Sequence, residues 1–387
     1  MDFSLNDAQR ALRDRARAFA NEVLAATVDE KDHRQEFPLA ELRAAAEVGL
    51  TGLGLPERYG GTPADAVGTA LVYEEIARVS ASVCVILSVH NSLVAHIIDL
   101  YGDDEQKARY LPRLARGEIL GSYALTEAGS GSDAGAMKTT ARREGDEWVL
   151  DGHKRFITTA PYAGLFIVFA VTNPDVRPAD GVSAFLVEPG FPGFSLGPES
   201  LKMGLLSSKI AEIRFDGCRV PAANLLGQEG RGFRMALQLL DTGRIGIGGQ
   251  SLGIGQAALD AALSYSRQRQ QFGKPIAEFQ AIQFRLADMH MQLDAARLLV
   301  LRAATRKDAG EPFGREASMA KLFASEAAKF CADQAVQIHG GYGYIKEYPV
   351  ERYYRDVKAC EIYEGTSDIQ RMVIARHLLR GGRGELA

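Results

Sequence analysis

Hydrophobic residues in the first third of the chain recur with the period of an α-helix. One such stripe consists of Leu39, Leu42, Ala46 and Leu50. The runs 83–89 and 93–98 are apolar on nearly every side, which is typical of helices buried inside a bundle. We therefore predict an N-terminal all-α domain over residues 1–118.

Between residues 119 and 232 the pattern changes to short runs rich in β-branched and aromatic residues. These runs are 148–150, 166–169, 184–187 and 211–215. Turn signals between them are supplied by the dipeptides Asp151-Gly152, Asp180-Gly181 and Asp216-Gly217. The pattern predicts a small antiparallel β domain over residues 119–232.

Longer helical stripes return after residue 232. The first stripe consists of Ile282, Leu286, Met289, Leu293, Ala296 and Val300. The second consists of Met319, Leu322, Phe323, Ala327 and Phe330. A C-terminal helical bundle is therefore predicted over residues 233–387, and the chain as a whole is an α+β multidomain protein.

Composition and charge exclude several classes of function. The 387 residues carry 45 basic and 49 acidic side chains, so the chain lacks the strongly basic surface that nucleic acids require. The four cysteines are widely spaced, with no CxxC pair and no interleaved histidines. This spacing argues against disulfides and against a zinc site. We expect no nucleic-acid binding and no bound metal.

No segment of the sequence has the pattern of a targeting or membrane signal. The first ten residues lack the basic-then-apolar order of a secretory signal. The longest apolar run, 165–171, is too short to cross a bilayer. We expect a cytoplasmic location, or an organelle matrix if a transit peptide has been removed, and no membrane association.

Two glycine-containing segments match the pattern GxGxxA. The segment 253–258 lies in a helical context without a preceding strand, so close helix packing explains it better than nucleotide binding. The segment 129–134 is a glycine-rich loop after a possible strand. Such a loop can expose backbone N–H groups to an anion or a planar ligand, and a plain turn is the alternative.

The C-terminal third contains two helix ends with the composition of binding sites. The segment 267–275 combines arginines and amides before Gly273 and Pro275. It would suit a diphosphate, although a solvated helix end has the same composition. The segment 337–343 is a second helix end, and its glycine cluster permits close approach of a ligand.

A single glutamate stands out in the segment 362–371. Glu364 lies in an apolar-flanked turn, directly before a helix that Thr366, Ser367 or Asp368 would cap. A carboxylate at this place commonly complements the helix dipole. Catalysis is the alternative, and the residues alone leave both open.

Taken together, these segments resemble the acyl-CoA dehydrogenase family. The motifs that carry the resemblance, in the family's order, are YALTEAGSGSD at 123–133, DTGRIGI at 241–247, RQQFG at 269–273, QIHGGYG at 337–343, EYPVER at 347–352 and IYEGT at 362–366. The likeness extends from Leu5 to about Leu379. It is strongest to the short- and medium-chain, butyryl-type members.

The resemblance implies a helical domain, a middle β-barrel-like domain and a C-terminal four-helix bundle. It implies bound FAD and a homotetramer built as a dimer of dimers. The implied reaction converts an acyl-CoA thioester to the trans-2-enoyl-CoA, with electrons passed to electron-transferring flavoprotein. Glu364 would remove the α proton while flavin N5 accepts the β hydride. A desolvated carboxylate suits this role, because burial makes it a stronger base.

The resemblance also implies the binding residues, position by position. Leu125, Thr126, Phe156 and Thr158 would border the flavin ring, and Tyr123, Gly131 and Ser132 would be further cofactor contacts. At the diphosphate, a neighbouring subunit would supply Arg269, Gln271 and Phe272, with Gln280 nearby. The adenine and ribose end would contact Gln337, Gly340 and Gly341, and the flavin phosphate side Thr366 and Asp368. The acyl-CoA would contact Ser132, Asp241, Arg244, Tyr363 and Gly365.

Departures from the family pattern leave the acyl chain and the electron acceptor open. Leu206, Lys209 and Ile210 replace the usual residues of a loop near the acyl-CoA and the electron partner. Gly243 stands where isovaleryl-type members carry their base, so the base should be Glu364. Cys84 stands where glutaryl-type members carry a substrate-binding arginine, which disfavours a dicarboxylyl substrate.

Two other functions compete with the dehydrogenase interpretation. The first is an acyl-CoA oxidase or a related flavoenzyme that lets oxygen reach the reduced flavin. The second is a binding protein that has lost turnover, and the intact sequence Tyr363-Glu364-Gly365 argues against it.

Overall fold

Helices occupy both ends of the chain and a β sheet lies between them. The structure is a computed structural model, and it describes residues 4–380. Its order of elements confirms the predicted sequence of helical, β and helical regions. Where the sheet and the two helical regions meet, they enclose the candidate site.

The N-terminal helices form one side of this arrangement. They are α1 (Asp7–Phe19), α2 (Val28–Arg34), α3 (Leu39–Glu47), α4 (Ala66–Ala77), α5 (Ala81–Ser88), α6 (His96–Tyr101) and α7 (Asp104–Ala115). A π-helical turn over Val89–Ala95 joins α5 to α6. The continuous helix Ala81–Tyr101 is long and apolar enough to cross a membrane, but 89% of its most apolar window is buried inside the protein. This burial is that of a core helix, as the sequence predicts.

A buried histidine links this core helix to the sheet. His90 accepts a hydrogen bond at Nδ1 from the backbone N–H of Gly121, at 3.1 Å. Its Nε2 faces the carbonyl oxygens of Thr51 and Leu114 at 3.0 and 3.1 Å. The ring therefore carries its proton on Nε2 and fixes the first strand of the sheet against the helices.

The middle region is a sheet built mainly from antiparallel pairs. Its strands are β1 (Leu120–Ala124), β2 (Thr140–Glu144), β3 (Glu147–Thr158), β4 (Ala163–Val171), β5 (Val182–Val187), β6 (Phe194–Glu199), β7 (Ile210–Pro221) and β8 (Leu225–Leu226), with the short helix α8 (Pro178–Gly181) before β5. The order is β6-β7-β3-β2-β4-β5-β8, and β1 pairs with β4. β1 runs parallel to β4, and β2 and β4 meet in parallel at a single residue pair.

Two of the predicted turns lie inside strands instead. Asp151-Gly152 is part of β3 and Asp216-Gly217 is part of β7. Their pairing shifts between Leu150 and Gly152, which marks a bulge. The Asp151 carboxylate accepts a hydrogen bond from the N–H of Gly217 at 2.7 Å, so the two dipeptides bend the paired strands together.

The C-terminal region is dominated by long helices. They are α9 (Gly232–Gln268), α10 (Gln280–Asp308), α11 (Gly314–His339), α12 (Val350–Cys360) and α13 (Ser367–Arg380), and the small hairpin β9 (Gln270–Gln271) and β10 (Lys274–Pro275) follows α9. α9 packs against α4, α10 and α11. Gly253 and Gly255 face neighbouring helices closely, since a Cβ at these positions would lie 2.2 Å from Glu74 O and 2.6 Å from Leu293 Cδ2. The helix-packing interpretation of segment 253–258 is confirmed.

The second predicted stripe is correct only in part: Ala327 is buried and Phe330 packs against the core. Met319, Leu322 and Phe323 lie on the less buried side of α11, and Phe323 is exposed. The buried side consists of small residues and one lysine, namely Ala317, Ala320, Lys321, Ala324 and Ala328. Small side chains let α11 approach α9 closely, so side-chain size decided the orientation that hydrophobicity alone did not.

Candidate active site

A strained turn between α12 and α13 carries Glu364. Its φ angle is +52°, a left-handed conformation that non-glycine residues rarely adopt, and Gly365 follows at +95°. Thr366 then caps α13, because its Oγ1 accepts a hydrogen bond from the N–H of Ile369 at 3.3 Å. Of the three predicted caps, Thr366 forms this bond. Such a conformation costs about 1–3 kcal/mol and persists where neighbouring groups hold it in place.

Two buried side chains hold the turn. Gln370 donates from Nε2 to the carbonyl oxygens of Glu364 and Gly365, at 3.2 and 2.9 Å. Lys321 donates from Nζ to the carbonyl oxygen of Gly365 at 2.8 Å. Both side chains are fully buried. The sequence analysis missed both residues. For Lys321, the signal available in the sequence was a lysine among the alanines of one face of α11.

The turn closes one side of a cavity of about 210 Å³ between the sheet and the helices. This cavity brings together eleven of the predicted site residues, which are Tyr123, Leu125, Thr126, Gly131, Ser132, Phe156, Thr158, Arg244, Tyr363, Glu364 and Gly365. Apolar side chains from the core helix and from α9, among them Val89, Leu93 and Leu240, complete the lining. The cavity therefore combines an apolar wall with a single carboxylate.

The Glu364 carboxylate is buried, and neither oxygen has a hydrogen-bond partner among the residues that the structure describes. Gly243 of α9 faces it so closely that a Cβ there would lie 2.0 Å from Oε2. Burial raises the pKa of Glu364 to about 7, while the positive charges of Lys321 and Arg244 act in the opposite direction. The carboxylate is thus a base whose protonation changes near neutral pH.

Arg244 and Tyr123 are the polar neighbours of this carboxylate. Arg244 is buried, and its Nη1 donates to Asp241 Oδ1 at 2.5 Å and to Ser318 Oγ at 3.2 Å. The Tyr123 hydroxyl is buried in the same cavity and has no hydrogen-bond partner within residues 4–380. Burial and the Glu364 charge raise the pKa of Tyr123 well above its usual value, so the phenol stays neutral and can donate.

A buried ion pair shapes the glycine-rich loop beside the cavity. Lys154 is fully buried and donates to Leu125 O at 3.1 Å and to Glu127 Oε1 at 2.8 Å. The Glu127 carboxylate also accepts from the backbone N–H groups of Lys138 and Thr139, at 2.6 and 3.0 Å. These bonds fix both ends of the loop 125–139. Sequence analysis missed Lys154, whose signal is a lysine within an otherwise buried strand.

A second group of predicted residues lies at a separate groove of about 460 Å³. Arg269, Gln271, Gly340 and Gly341 line this groove, and Arg269 lies 5.6 Å above the ring of Tyr342. Six predicted residues line neither space, namely Asp241, Phe272, Gln280, Gln337, Thr366 and Asp368. Phe272 is 94% exposed at the tip of the β9–β10 hairpin. Within one chain, the groove residues do not join the cavity.

Comparison with known protein families identifies the class of protein to which this chain belongs. The domain profiles of the acyl-CoA dehydrogenases match the chain in three parts: the N-terminal domain at residues 6–118, the middle domain at 122–218 and the C-terminal domain at 230–379. This family consists of flavoprotein oxidoreductases. The chain belongs to the acyl-CoA dehydrogenase family.

Individual relatives are similar over nearly their whole length. Acryloyl-CoA reductase (NADH) of Anaerotignum propionicum is 48% identical, over 98% of this chain and 96% of its own. The structure of butyryl-CoA dehydrogenase from Megasphaera elsdenii is 44% identical, with a TM-score of 0.96 over 98% of this chain and all of its own. A chain solved in work on the electron transferring flavoprotein of Acidaminococcus fermentans gives the same values. The protein is of the butyryl or short-chain type within the family.

Members of this family are FAD enzymes, and the described residues fit that cofactor. Phe156 presents a half-exposed ring at the mouth of the cavity. Gly131 and Gly341 leave open space where a Cβ would stand, so a ligand can approach the backbone closely. Arg269 offers a planar fork of donors in the groove, which suits a diphosphate.

Proposed function

We propose that this protein oxidises a short acyl-CoA thioester to the trans-2-enoyl-CoA, with Glu364 as the base that removes the α proton. The observation that carries the proposal is the Glu364 carboxylate, buried and unpartnered in a cavity with most of the residues expected at the flavin and the thioester. When bound, FAD supplies the acceptor for the β hydride.

The environment of Glu364 suits proton abstraction from carbon. A carboxylate in water is too weakly basic for this reaction, and burial corrects this by raising its pKa to about 7. At neutral pH a large fraction of Glu364 is still ionised and able to accept a proton. The absence of a partner on either oxygen, among residues 4–380, leaves both lone-pair sets available to the substrate.

The left-handed turn also supports stabilisation of the thioester oxygen. Around Glu364, the backbone hydrogen bonds are donated by Tyr363 to Ala359 O and by Ser367 to Glu361 O. The Glu364 N–H has no backbone acceptor within the described part of the chain. We propose that it donates to the thioester carbonyl, which acidifies the α proton.

The inner end of the site supports a short acyl group. Tyr73 of α4 and Cys84 and Ser88 of α5 are fully buried, Cys84 donates to the carbonyl oxygen of Tyr73, and the Glu364 charge acts on the Tyr73 phenol. Gly246 packs on the Tyr73 ring, with 3.2 Å between the ring and the position of a Cβ. This packing leaves little room for a longer chain. Cys84 also offers no charge that could pair with a second carboxylate on the substrate.

The experiment that tests this function uses the purified protein and FAD. We expect a yellow protein whose flavin absorbance bleaches when butyryl-CoA is added without oxygen. Octanoyl-CoA and palmitoyl-CoA should react progressively more slowly, because each methylene that does not fit costs about 1–3 kcal/mol of transition-state binding. Rapid-mixing absorbance across this series measures the preference. A protein that stays colourless with added FAD, or that no thioester bleaches, would contradict the proposal.

We propose electron-transferring flavoprotein as the electron acceptor, with oxygen as the alternative. The structural relative from Acidaminococcus fermentans, solved in work on an electron transferring flavoprotein, supports this choice. Admitting air to the reduced protein separates the two acceptors. Slow reoxidation that electron-transferring flavoprotein accelerates fits a dehydrogenase, whereas rapid formation of peroxide would identify an oxidase.

A second candidate function is the reverse reaction, reduction of a short enoyl-CoA. The similarity to acryloyl-CoA reductase (NADH) favours it. The same base can return the proton, so the direction depends on the redox partner. Chemically reduced protein mixed with crotonyl-CoA should reoxidise in either case. Steady turnover in the reductive direction only would favour the second candidate.

We further propose a homotetramer, in which the groove at Arg269 completes a neighbouring subunit's site. Phe284, Met291 and Leu298 lie seven positions apart on α10 and are all exposed, which forms an apolar stripe on its outer side. Phe272, expected to contact FAD, is exposed and does not line its own chain's cavity. Both features support assembly with further copies. The cytoplasmic location and the domain boundaries at 118/119 and 232/233 stay predictions.

Light scattering of the FAD-loaded protein should give about four times the chain mass of 41.9 kDa. Met291→Lys, at the centre of the apolar stripe, should shift the protein to smaller species with weaker FAD retention, since a charge would be buried unpaired in the interface. Val176→Lys, at an exposed position outside the stripe, is the control. A monomeric wild-type protein with tightly bound FAD would contradict the assembly.

A further inference from the structure

Lys321 is an ammonium group buried close to the base. Its side chain is fully buried on the α9-facing side of α11. Within the described residues 4–380, Lys321 forms no ion pair: its hydrogen bond is to the carbonyl oxygen of Gly365, and the carboxylates of Glu364 and Glu361 act on it only through their charge. A buried charge without a partner is costly, so its position requires an explanation.

The neighbouring cation differs in this respect. Arg244 is the second positive group that acts on Glu364, and it is already paired with Asp241. Lys321 is therefore the unneutralised positive charge beside the base. Burial lowers the pKa of Lys321 to about 8, which still leaves the ammonium mostly charged at neutral pH.

We propose that Lys321 is a positioning residue for Glu364, which fixes the left-handed turn through Gly365 and keeps the carboxylate ionised through its charge. This inference rests on the proposed function, since it assigns Glu364 the role of base. The two effects act together. The hydrogen bond to Gly365 O aims the carboxylate, and the charge limits how far burial protonates it before substrate arrives.

Several other titratable groups lie around Glu364 and Lys321. Those facing Glu364 are Lys321 of α11, Arg244 of α9, Tyr73 of α4, Tyr123 of β1 and the adjacent Tyr363. Those facing Lys321 are Cys360, Glu361, Glu364 and Arg244. The three tyrosines have their pKa values raised by burial and stay neutral, so they do not substitute for the ammonium.

The test measures the ionisation of Glu364 directly in FAD-loaded protein. Infrared difference titration reports the protonated carboxyl, with Glu364→Gln subtracted to assign the band. In Lys321→Met the midpoint should rise by about one pH unit or more, the usual effect of removing a nearby opposite charge. Lys321→Arg should keep the wild-type midpoint. Lys329→Met, on the same helix but half-exposed and beside Glu361, is the matched control.

The pH dependence of flavin reduction by saturating butyryl-CoA provides the second measurement. Its acid limb should move upward with the infrared midpoint in Lys321→Met, while the KM for butyryl-CoA changes little. A role limited to holding the turn would lower the rate at every pH without moving the limb. If Lys321→Met does not fold, Lys321→Gln, which retains a donor but no charge, should show the same shift.

The outcomes are distinguishable from those of the proposed function. An unchanged midpoint in folded Lys321→Met, or an equal shift in Lys329→Met, would overturn the inference. A wild-type protein that no acyl-CoA reduces would instead reject the proposed function. The infrared titration needs no turnover, so it would still report whether Lys321 controls the ionisation of Glu364.

Discussion

Replacement of Glu364 by glutamine is expected to leave a folded, yellow protein whose flavin butyryl-CoA no longer bleaches. Loss of a general base costs about 10²–10⁴-fold in rate. Glutamine keeps the shape of the side chain and removes only its ability to take a proton. The measurement is the anaerobic rate of flavin reduction, with FAD content determined by absorbance. Rates within tenfold of wild type would reassign the base.

The matched control for this variant is Glu361→Gln. Glu361 lies three residues earlier and forms ion pairs with Lys358 and Lys329, whose side chains are both 45% exposed. It should retain wild-type reduction. In the wild-type protein the rate should rise with pH through an acid limb near 7, because Glu364 must lose its proton before it can accept one from the substrate.

Glu364→Gln should also show that the buried carboxylate of Glu364 lowers the stability of the wild-type protein. In the folded protein, burial raises the pKa of Glu364 from its ordinary 4.5 to about 7. Its contribution to stability is therefore full below pH 4.5 and is lost as the pH rises through 7. At alkaline pH, Glu364→Gln should unfold at a higher temperature than wild type, and its free energy of unfolding should be higher by up to about 3 kcal/mol. In acid, the free energy of unfolding should be little changed.

A methyl group added at position 243 is expected to slow flavin reduction almost as much as Glu364→Gln does. The Cβ of Gly243→Ala would lie 2.0 Å from Glu364 Oε2, so the carboxylate must move. A displacement of about 1 Å at a reacting group can cost roughly 10²-fold in rate. Thermal stability and FAD content should change far less, because the obstructed atom is the end of a side chain. Gly190→Ala, where a Cβ would meet no atom within 4 Å, is the control.

A double variant makes this prediction sharper. Aspartate at position 364 is shorter by one methylene and withdraws from the space that the new methyl group occupies. Glu364→Asp should therefore cost less in the Gly243→Ala background than in the wild type. Equal costs in the two backgrounds would show that the residues do not interact, and would contradict the contact as the cause.

Local patterns of hydrophobicity predicted the order of the helical and β regions, whereas the residues that line the cavity were expected from the resemblance to the acyl-CoA dehydrogenases. The period of Leu286, Met289 and Leu293 fixed the buried side of α10, and the motif around Glu364 fell in a turn before a helix. Patterns of hydrophobicity predicted only part of the buried side of α11, namely Ala327 and Phe330. At the buried side of α11, the close approach of α9 favours alanines over a large side chain such as Phe323. The local sequence of α11 does not show that α9 packs there.

The supporting residues were missed for a related reason. Lys154 and Lys321 have the sequence appearance of surface lysines, and their burial depends on acceptors that are distant in the chain. Glu127 and Gly365 supply those acceptors only when strands or helices far apart in sequence meet. Similarly, the Asp-Gly dipeptides at 151 and 216 have the composition of turns. Each lies inside a strand of twelve residues, and the pairing of these two strands produces a bulge instead of a turn.

The glycines of α9 have a consequence for the order in which the protein folds. Six glycines lie between Gly243 and Gly255, and each destabilises an isolated helix by about 1 kcal/mol relative to alanine. This stretch cannot persist as a helix until α4, α10 and α11 surround it, and α4 is distant in the chain. The surface on which the base rests therefore forms as a late, cooperative event. A fragment that contains the catalytic turn without the N-terminal helices would lack it.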